Sequence, residues 1–389
     1  MKSFGLYYKG YKPSEDAVEI HVNLWKLKSF NVPYLLDFGL MISQSVKSIA
    51  LFLPFKLNSN EKKSDSSPVK DLGHILMENK DILSLVFNTR MQITNPSNGV
   101  YAKATDDEKG ESFYIYKLGS TNFNCDATKF ETEGTLLTID LKSEPNDKNF
   151  SNDIKNSPGA KQIQVEEKKE KVYLRFRIEV PSLNNIKIKD NLSNDIIQSA
   201  FSKIELYDFR INDLRQYDAK IDEAIKTEGF TSYTFEKIHF LYMVNNREVI
   251  QDMNTMHKDC RFLEKSKWGD YLPNGINDIN FISYHWKKTK DKTKFSDFSL
   301  FFSATYPSRN WIQLLVSLDF IILLGFIGSF LCTKFLETSK LTSWNYLDYV
   351  WAFLPLILLL CLFLFFVPML WNKTKSFLHK KIVQSWIIL

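Results

Sequence analysis

The sequence predicts an α+β protein, a β-rich cytosolic domain followed by two C-terminal transmembrane α-helices, and three observations carry that expectation. Apolar runs at 311–332 and 349–371 are each long enough to cross a bilayer, because a hydrocarbon core of roughly 30 Å takes about 20 helical residues. Ahead of them, short stretches alternate apolar and polar residues between Gly, Pro, Asn and Asp, as half-buried strands do. Lysines gather before the first run and after the second, with only Lys334 and Lys340 between, which places both termini in the cytoplasm. The expected organisation is therefore a head over 1–306, a two-helix membrane domain over 307–371 and a basic amphipathic tail over 372–389.

Taken in order, Val18, Ile20, Val22 and Leu24 alternate with Glu19, His21 and Asn23, which predicts a strand with one buried face. SIALFLPFKL predicts another, which Pro54 confines to an edge or a bulge. The tract from Asn58 is a solvated loop, and Leu72, Ile75 and Leu76 then recur at i, i+3, i+4 as in a short helix. Past Glu111 the strand signal strengthens through SFYIYKLG, GTLLTIDLKS and KVYLRFRIEV. Residues 144–171 have little to bury and mark an insertion or a lobe boundary. SNDIIQSAFSKI and LRQYDAKIDEAIKTEG predict helices, the second ending at Gly229. HFLYMV, INFISYHW and a stretch with Phe298, Leu300, Phe302 and Ala304 on one face predict the last strands of the head.

The first apolar run carries Asp319, which costs about 2.5 to 3.5 kcal/mol near a helix centre, but its Leu, Ile, Val and Phe residues return about 0.3 to 0.6 kcal/mol each. Insertion is the expected outcome. The second run is uncharged, and Pro355 and Pro368 could kink it. In the tail, Leu378, Ile382, Trp386 and Leu389 recur every three or four residues among lysines.

Composition narrows the function. A net charge of +5, with lysine well ahead of arginine, argues against a dedicated duplex-DNA binder. Cys125, Cys260, Cys332 and Cys361 form neither a disulfide framework nor a paired-cysteine zinc signature, and the first residues lack an apolar leader. The Asn-x-Ser/Thr triplets at Asn149, Asn191 and Asn372 are accordingly expected to stay unmodified. No GxSxG, P-loop, GxGxxG or HExxH is present, and the six histidines are scattered singly, so no catalysis, cofactor or metal is expected. The nearest thing to a ligand set is His257, Asp259 and Cys260 in MHKDC.

Two basic features are candidate anion sites. On KVYLRFRIEV the buried face is Val172, Leu174, Phe176 and Ile178, which leaves Tyr173, Arg175 and Arg177 together on the other. Arginines beside a tyrosine suit a phosphate and a base, although a solvated face balanced by Glu179 accounts for the same pattern. Lys287, Lys288 and Lys290 are the second candidate, with a solvated loop as the plain alternative. In the membrane part Asp319, Gln313 and Ser317 are the candidate lining of an ion pathway, with Asp319 snorkelling to the inner interface or capping a packing contact as the plain alternative. Two spans cannot enclose a pore, so a pathway requires a homo-oligomer, a tetramer among the options.

This plan, together with Asp319, the tail from Phe377 to Leu389 and the basic strand face, resembles the membrane effectors of bacterial anti-phage defence. Those of the CBASS type share it, and the Hailong system is more similar still, since there too a head precedes the spans and a short tail follows. The resemblance implies a multi-pass protein of the bacterial inner membrane, working in the lipid bilayer. Its head would sense a nucleotide or single-stranded oligonucleotide from a nucleotidyltransferase partner and control an oligomeric ion pathway that depolarises the cell. The competing expectation is a membrane-anchored scaffold or receptor that recruits a soluble partner through the head.

Overall fold

The computed structural model describes residues 2–10, 17–27, 34–57, 68–94, 99–126, 134–141, 171–180, 182–190, 202–216, 219–263, 268–273, 280–289, 294–307 and 318–330. The chain divides into two compact units, Met1–Asn191 with Lys203–Pro307 and Leu192–Ser202 with Ser308–Leu389.

The first unit is built of strands. Its first third supplies β1 (Gly5–Gly10), β2 (Ala17–Trp25), β3 (Tyr34–Ser43), β4 (Val46–Leu53), β5 (Val69–Asp71), β6 (Met91–Thr94), β7 (Tyr101–Asp106) and β8 (Ser112–Tyr116). The middle supplies β9 (Phe123–Asp126), β10 (Thr135–Asp140), β11 (Lys171–Val180), β12 (Lys187–Asp190) and β13 (Ser202–Ile211). The last third supplies β14 (Thr231–Ser232), β15 (Thr234–Asn245), β16 (Val249–Asp252), β17 (Asp259–Leu263), β18 (Phe281–Thr289) and β19 (Phe298–Pro307). Helices α1 (Gly73–Glu78), α2 (Lys80–Phe87) and α3 (Ala219–Thr227) lie between them.

Three sheets result. The largest has ten strands, in the order β17-β18-β15-β2-β3-β11-β8-β7-β6 with β5 also paired to β11; the others run β14-β1-β4-β10-β9 and β12-β13-β19-β16. Period 2 decides how they stack. The even-numbered residues of the large sheet's central strands β2, β3, β11 and β15, among them Ile20, Val22, Phe38, Leu40, Leu174, Phe176, Ile238 and Phe240, share one core with Leu6, Ile49 and Leu51 of the five-stranded sheet and Phe209, Leu300 and Phe302 of the four-stranded one. Each such side chain, fully buried, contributes about 1.5 to 3 kcal/mol, so this face dictates the sandwich.

The odd-numbered face of the large sheet is covered as well. Trp25, Leu35, Met41, Tyr173 and Met243 pack under Leu76 of α1, Ile82 and Leu83 of α2, and Trp268, Tyr271 and Leu272. Side chains start both helices: Asp71 accepts the Gly73 and His74 amides, and Asn79 accepts those of Asp81 and Ile82. Asn88, in the left-handed conformation at φ 55°, ends α2. On the five-stranded sheet, Ile221 and Ile225 of α3 cover Tyr7, Phe52 and Leu136, and the turn at Gly229 has φ +85°.

Several expectations are corrected here. Among the described residues no helix is long and apolar enough to cross a membrane. Residues 318–330 are helical, and this described stretch covers about 20 Å. The α+β plan with two transmembrane helices, the membrane-protein and ion-channel readings and the inner-membrane location give way to a fold dominated by strands. Residues 349–371, the tail, the three Asn triplets and 144–170 lie outside the described residues. Strand β4 is central rather than an edge, because Pro54 falls just beyond its end and every ladder amide survives. Ser202–Ile204, expected in a helix, open β13, where pairing with β12 outweighs local propensity.

Candidate metal centre

Strands β2 and β15 are parallel neighbours, and their register sets Glu19 beside Lys237 and His21 beside His239. Antiparallel β18 then places Lys287 opposite His239, with His285 two residues away on the same face, and β17 places Asp259 opposite His285. Residues from four strands meet on the odd face of the large sheet.

Glu19 Oε1 lies 3.3 Å from His21 Nε2 and 3.7 Å from His239 Nε2, and all three candidate ligand atoms fall within 4.8 Å of one another. Atoms bound tetrahedrally to one ion at about 2.0 to 2.1 Å stand about 3.4 Å apart, so little movement separates the trio from a coordination shell. The other nitrogen of each ring is anchored. His21 Nδ1 lies 3.2 Å from Tyr173 Oη; His239 Nδ1 lies 3.0 Å from His285 Nε2, whose ring reaches Asp259 Oδ1 at 3.4 Å through its own Nδ1. Such outer partners fix the tautomer and the aim of a metal-bound imidazole. His239 Nε2 is buried and has no hydrogen-bond partner among the described residues. It faces Glu19.

Electrostatics keep the donors in ligand form. Burial lowers the pKa of His21 and of His285, and pushes His239 down to about 2, so at neutral pH the rings are uncharged with a lone pair available. Burial alone would raise the Glu19 carboxyl, but the hydrogen bond with His21 and then the charge and hydrogen bond of Lys237, at 3.1 Å, outweigh it and hold it well below the usual carboxylate range.

The surroundings are shaped to fit. Phe87, at the end of α2, lies edge-on to His21 at 5.3 Å and to Tyr173 at 4.8 Å, and Arg261 of β17 ties that end down through Asn88 Oδ1 and the Leu85 carbonyl. Gly39 of β3 pairs with His21 on one side and Arg175 on the other. A Cβ there would stand 2.0 Å from Tyr173 Oη, so the missing side chain is what lets Tyr173 reach His21.

Tyr173, Arg175 and Arg177 do share a face, but it is an interior one: they are 0 %, 0 % and 3 % exposed. The open anion-binding face expected for them is corrected, because α1, α2 and the segment around Tyr271 cover it. Arg177 pairs with Asp37 through Nε at 2.6 Å and Nη2 at 3.0 Å, while Arg175 donates to the hydroxyls of Tyr271 and Tyr173 at 2.7 and 2.9 Å. Glu179, the expected counter-charge, pairs with Lys70 instead. Through the Tyr173 hydroxyl, Arg175 is linked to His21.

Of the lysines, Lys287 is exposed beside the centre, whereas Lys288 turns to the other face, 4.6 Å above the Phe295 ring. Lys290, Gln313 and Ser317 lie outside the described residues. Asp319 occupies an exposed position in the helix at 318–330. The MHKDC trio is split: His257 bonds Asp252 at 2.6 Å, Asp259 serves His285, and Cys260 is exposed opposite Tyr284.

Glu19, His21, His239 and His285 were not legible as a set. The i, i+2 spacing of Glu19 and His21 on a strand was a signal, but it also describes any solvated strand face. No protein-family model matches this chain, and no curated protein matches it.

Proposed function

We propose that this chain is a metal-binding protein that holds one divalent transition ion, zinc by ligand type, at Glu19, His21 and His239. The observation that carries this reading is the convergence of one carboxylate and two imidazoles whose outer nitrogens are already hydrogen-bonded. Two histidines and a glutamate are a zinc set that leaves a fourth position open, and the same set accommodates non-haem iron. Glu19 and His239 keep 17 % and 18 % of their side-chain surface exposed, which provides an entry path. The ligand-sensing role expected of the head attaches to this centre, and the membrane half of that expectation is set aside with the spans.

The test is titration of chelator-treated protein with cobalt(II), followed by zinc competition. One ion per chain with visible bands of tetrahedral type is the expected result, with binding lost in His239→Ala. In His285→Ala, which removes only an outer partner, affinity should fall about 10- to 100-fold. Cobalt binding that is unchanged in His239→Ala would overturn the assignment.

A further inference from the structure

We propose that the open coordination position at Glu19, His21 and His239 receives a phosphate-bearing anion whose remaining oxygens are held by Lys287 and Lys237; this rests on the metal reading above. Lys287 stands directly opposite His239 across β15 and β18, and Lys237 precedes His239 by two residues on the same face. The two lysines therefore neighbour His239 on one face from adjacent strands, at diagonal positions with Cα atoms about 7 to 8 Å apart. Flexible stems close that gap onto a group seated between them.

Charge favours an anion there once the ion is bound. The histidine rings being uncharged, Glu19, Asp259 and Glu111 stand against Lys237, Lys287 and Lys258, while Glu236 pairs with Lys171, so the group is near balance before an ion binds. Among the described residues Lys287 makes no ion pair, and Lys258 adds a further positive charge where its amide donates to the His285 carbonyl at 2.7 Å. A divalent ion added to this group leaves a clear positive excess at a partly exposed face. A carboxylate offers two oxygens, whereas a phosphate monoester offers three to three anchors: the ion, Lys287 and Lys237.

The experiment titrates the cobalt-loaded full chain with inorganic phosphate, AMP and acetate, reading the visible bands and checking on a desalting column that the metal is retained. Phosphate and AMP should shift the bands saturably, and acetate should need roughly tenfold more. Tighter binding of AMP than of phosphate would identify the ligand as a nucleotide, and equal binding would assign the site to the phosphate group itself; either result supports the proposal. Lys287→Glu should lower phosphate affinity roughly tenfold or more while still retaining one cobalt ion per chain. If cobalt binds but phosphate leaves the bands unmoved, if acetate competes equally, or if Lys287→Glu binds phosphate as well as the parent, the anion site is refuted while the metal centre stands. If cobalt does not bind, the metal reading falls and the anion reading with it.

Discussion

Replacing Asp37 by alanine should bring the chain close to unfolding, and the cost can be worked from its contacts. The carboxylate is fully buried and accepts four bonds: two from Arg177 at 2.6 and 3.0 Å, one from the Tyr271 hydroxyl at 2.7 Å and one from the Trp25 indole at 2.8 Å. Burial would raise its pKa, but the Arg177 charge and hydrogen bonds more than reverse that, so it is ionised at neutral pH. Removing one member of a buried ion pair costs about 3 to 5 kcal/mol, because the other charge is left uncompensated. Each donor left without an acceptor adds about 1 to 3 kcal/mol, although losses around one carboxylate do not add in full. A total of about 5 kcal/mol stands against a typical stability of 5 to 15. Urea unfolding followed by tryptophan fluorescence reads this directly, since Trp25 and Trp268 pack 5.5 Å apart beside the pair. Replacing both partners, Asp37→Leu with Arg177→Met, should recover most of the loss. A loss below about 1 kcal/mol in Asp37→Ala would refute the reasoning, since only a solvated pair is worth so little.

Gly39→Ala should displace Tyr173 and destabilise by about 1 to 3 kcal/mol, as overpacking does; a thermal melt of the variant checks this, and an unchanged melting temperature would contradict the close approach. Glu205, between Lys26 at 2.9 Å and Lys187 at 3.0 Å, is driven up by burial but brought down by the two lysines to about 2. Because its folded pKa is depressed, its contribution of about 3 kcal/mol is complete above about pH 4.5 and lost as the pH falls towards 2. Urea midpoints over that range should fall more steeply for the parent than for Glu205→Gln. Zinc at about 100 times its Kd should add about 2.7 kcal/mol and raise Tm by about 3 to 4 °C, an effect absent in His239→Ala.

Where strands were read from alternation, their core-facing residues were determined by the sequence alone, because side-chain alternation is a local property. Phe176 and Ile178, or Leu300 and Phe302, face the core wherever their strands end up. The turn at Gly229 was equally legible, since a positive φ there restricts the residue locally. Tertiary structure decided which strands pair and what covers the second face. The backbone ladder carries no side-chain address, so nothing in VEIHV shows that its neighbour is the strand bearing His239, 218 residues away as Glu19 is from Lys237. The same holds for Arg175 and Arg177: a polar row on a strand looks the same whether water, a ligand or a buried carboxylate faces it. Only the packing of α1, α2 and Tyr271 over that row decided for the carboxylate, and only the union of β2, β15, β18 and β17 turned three scattered histidines into one centre.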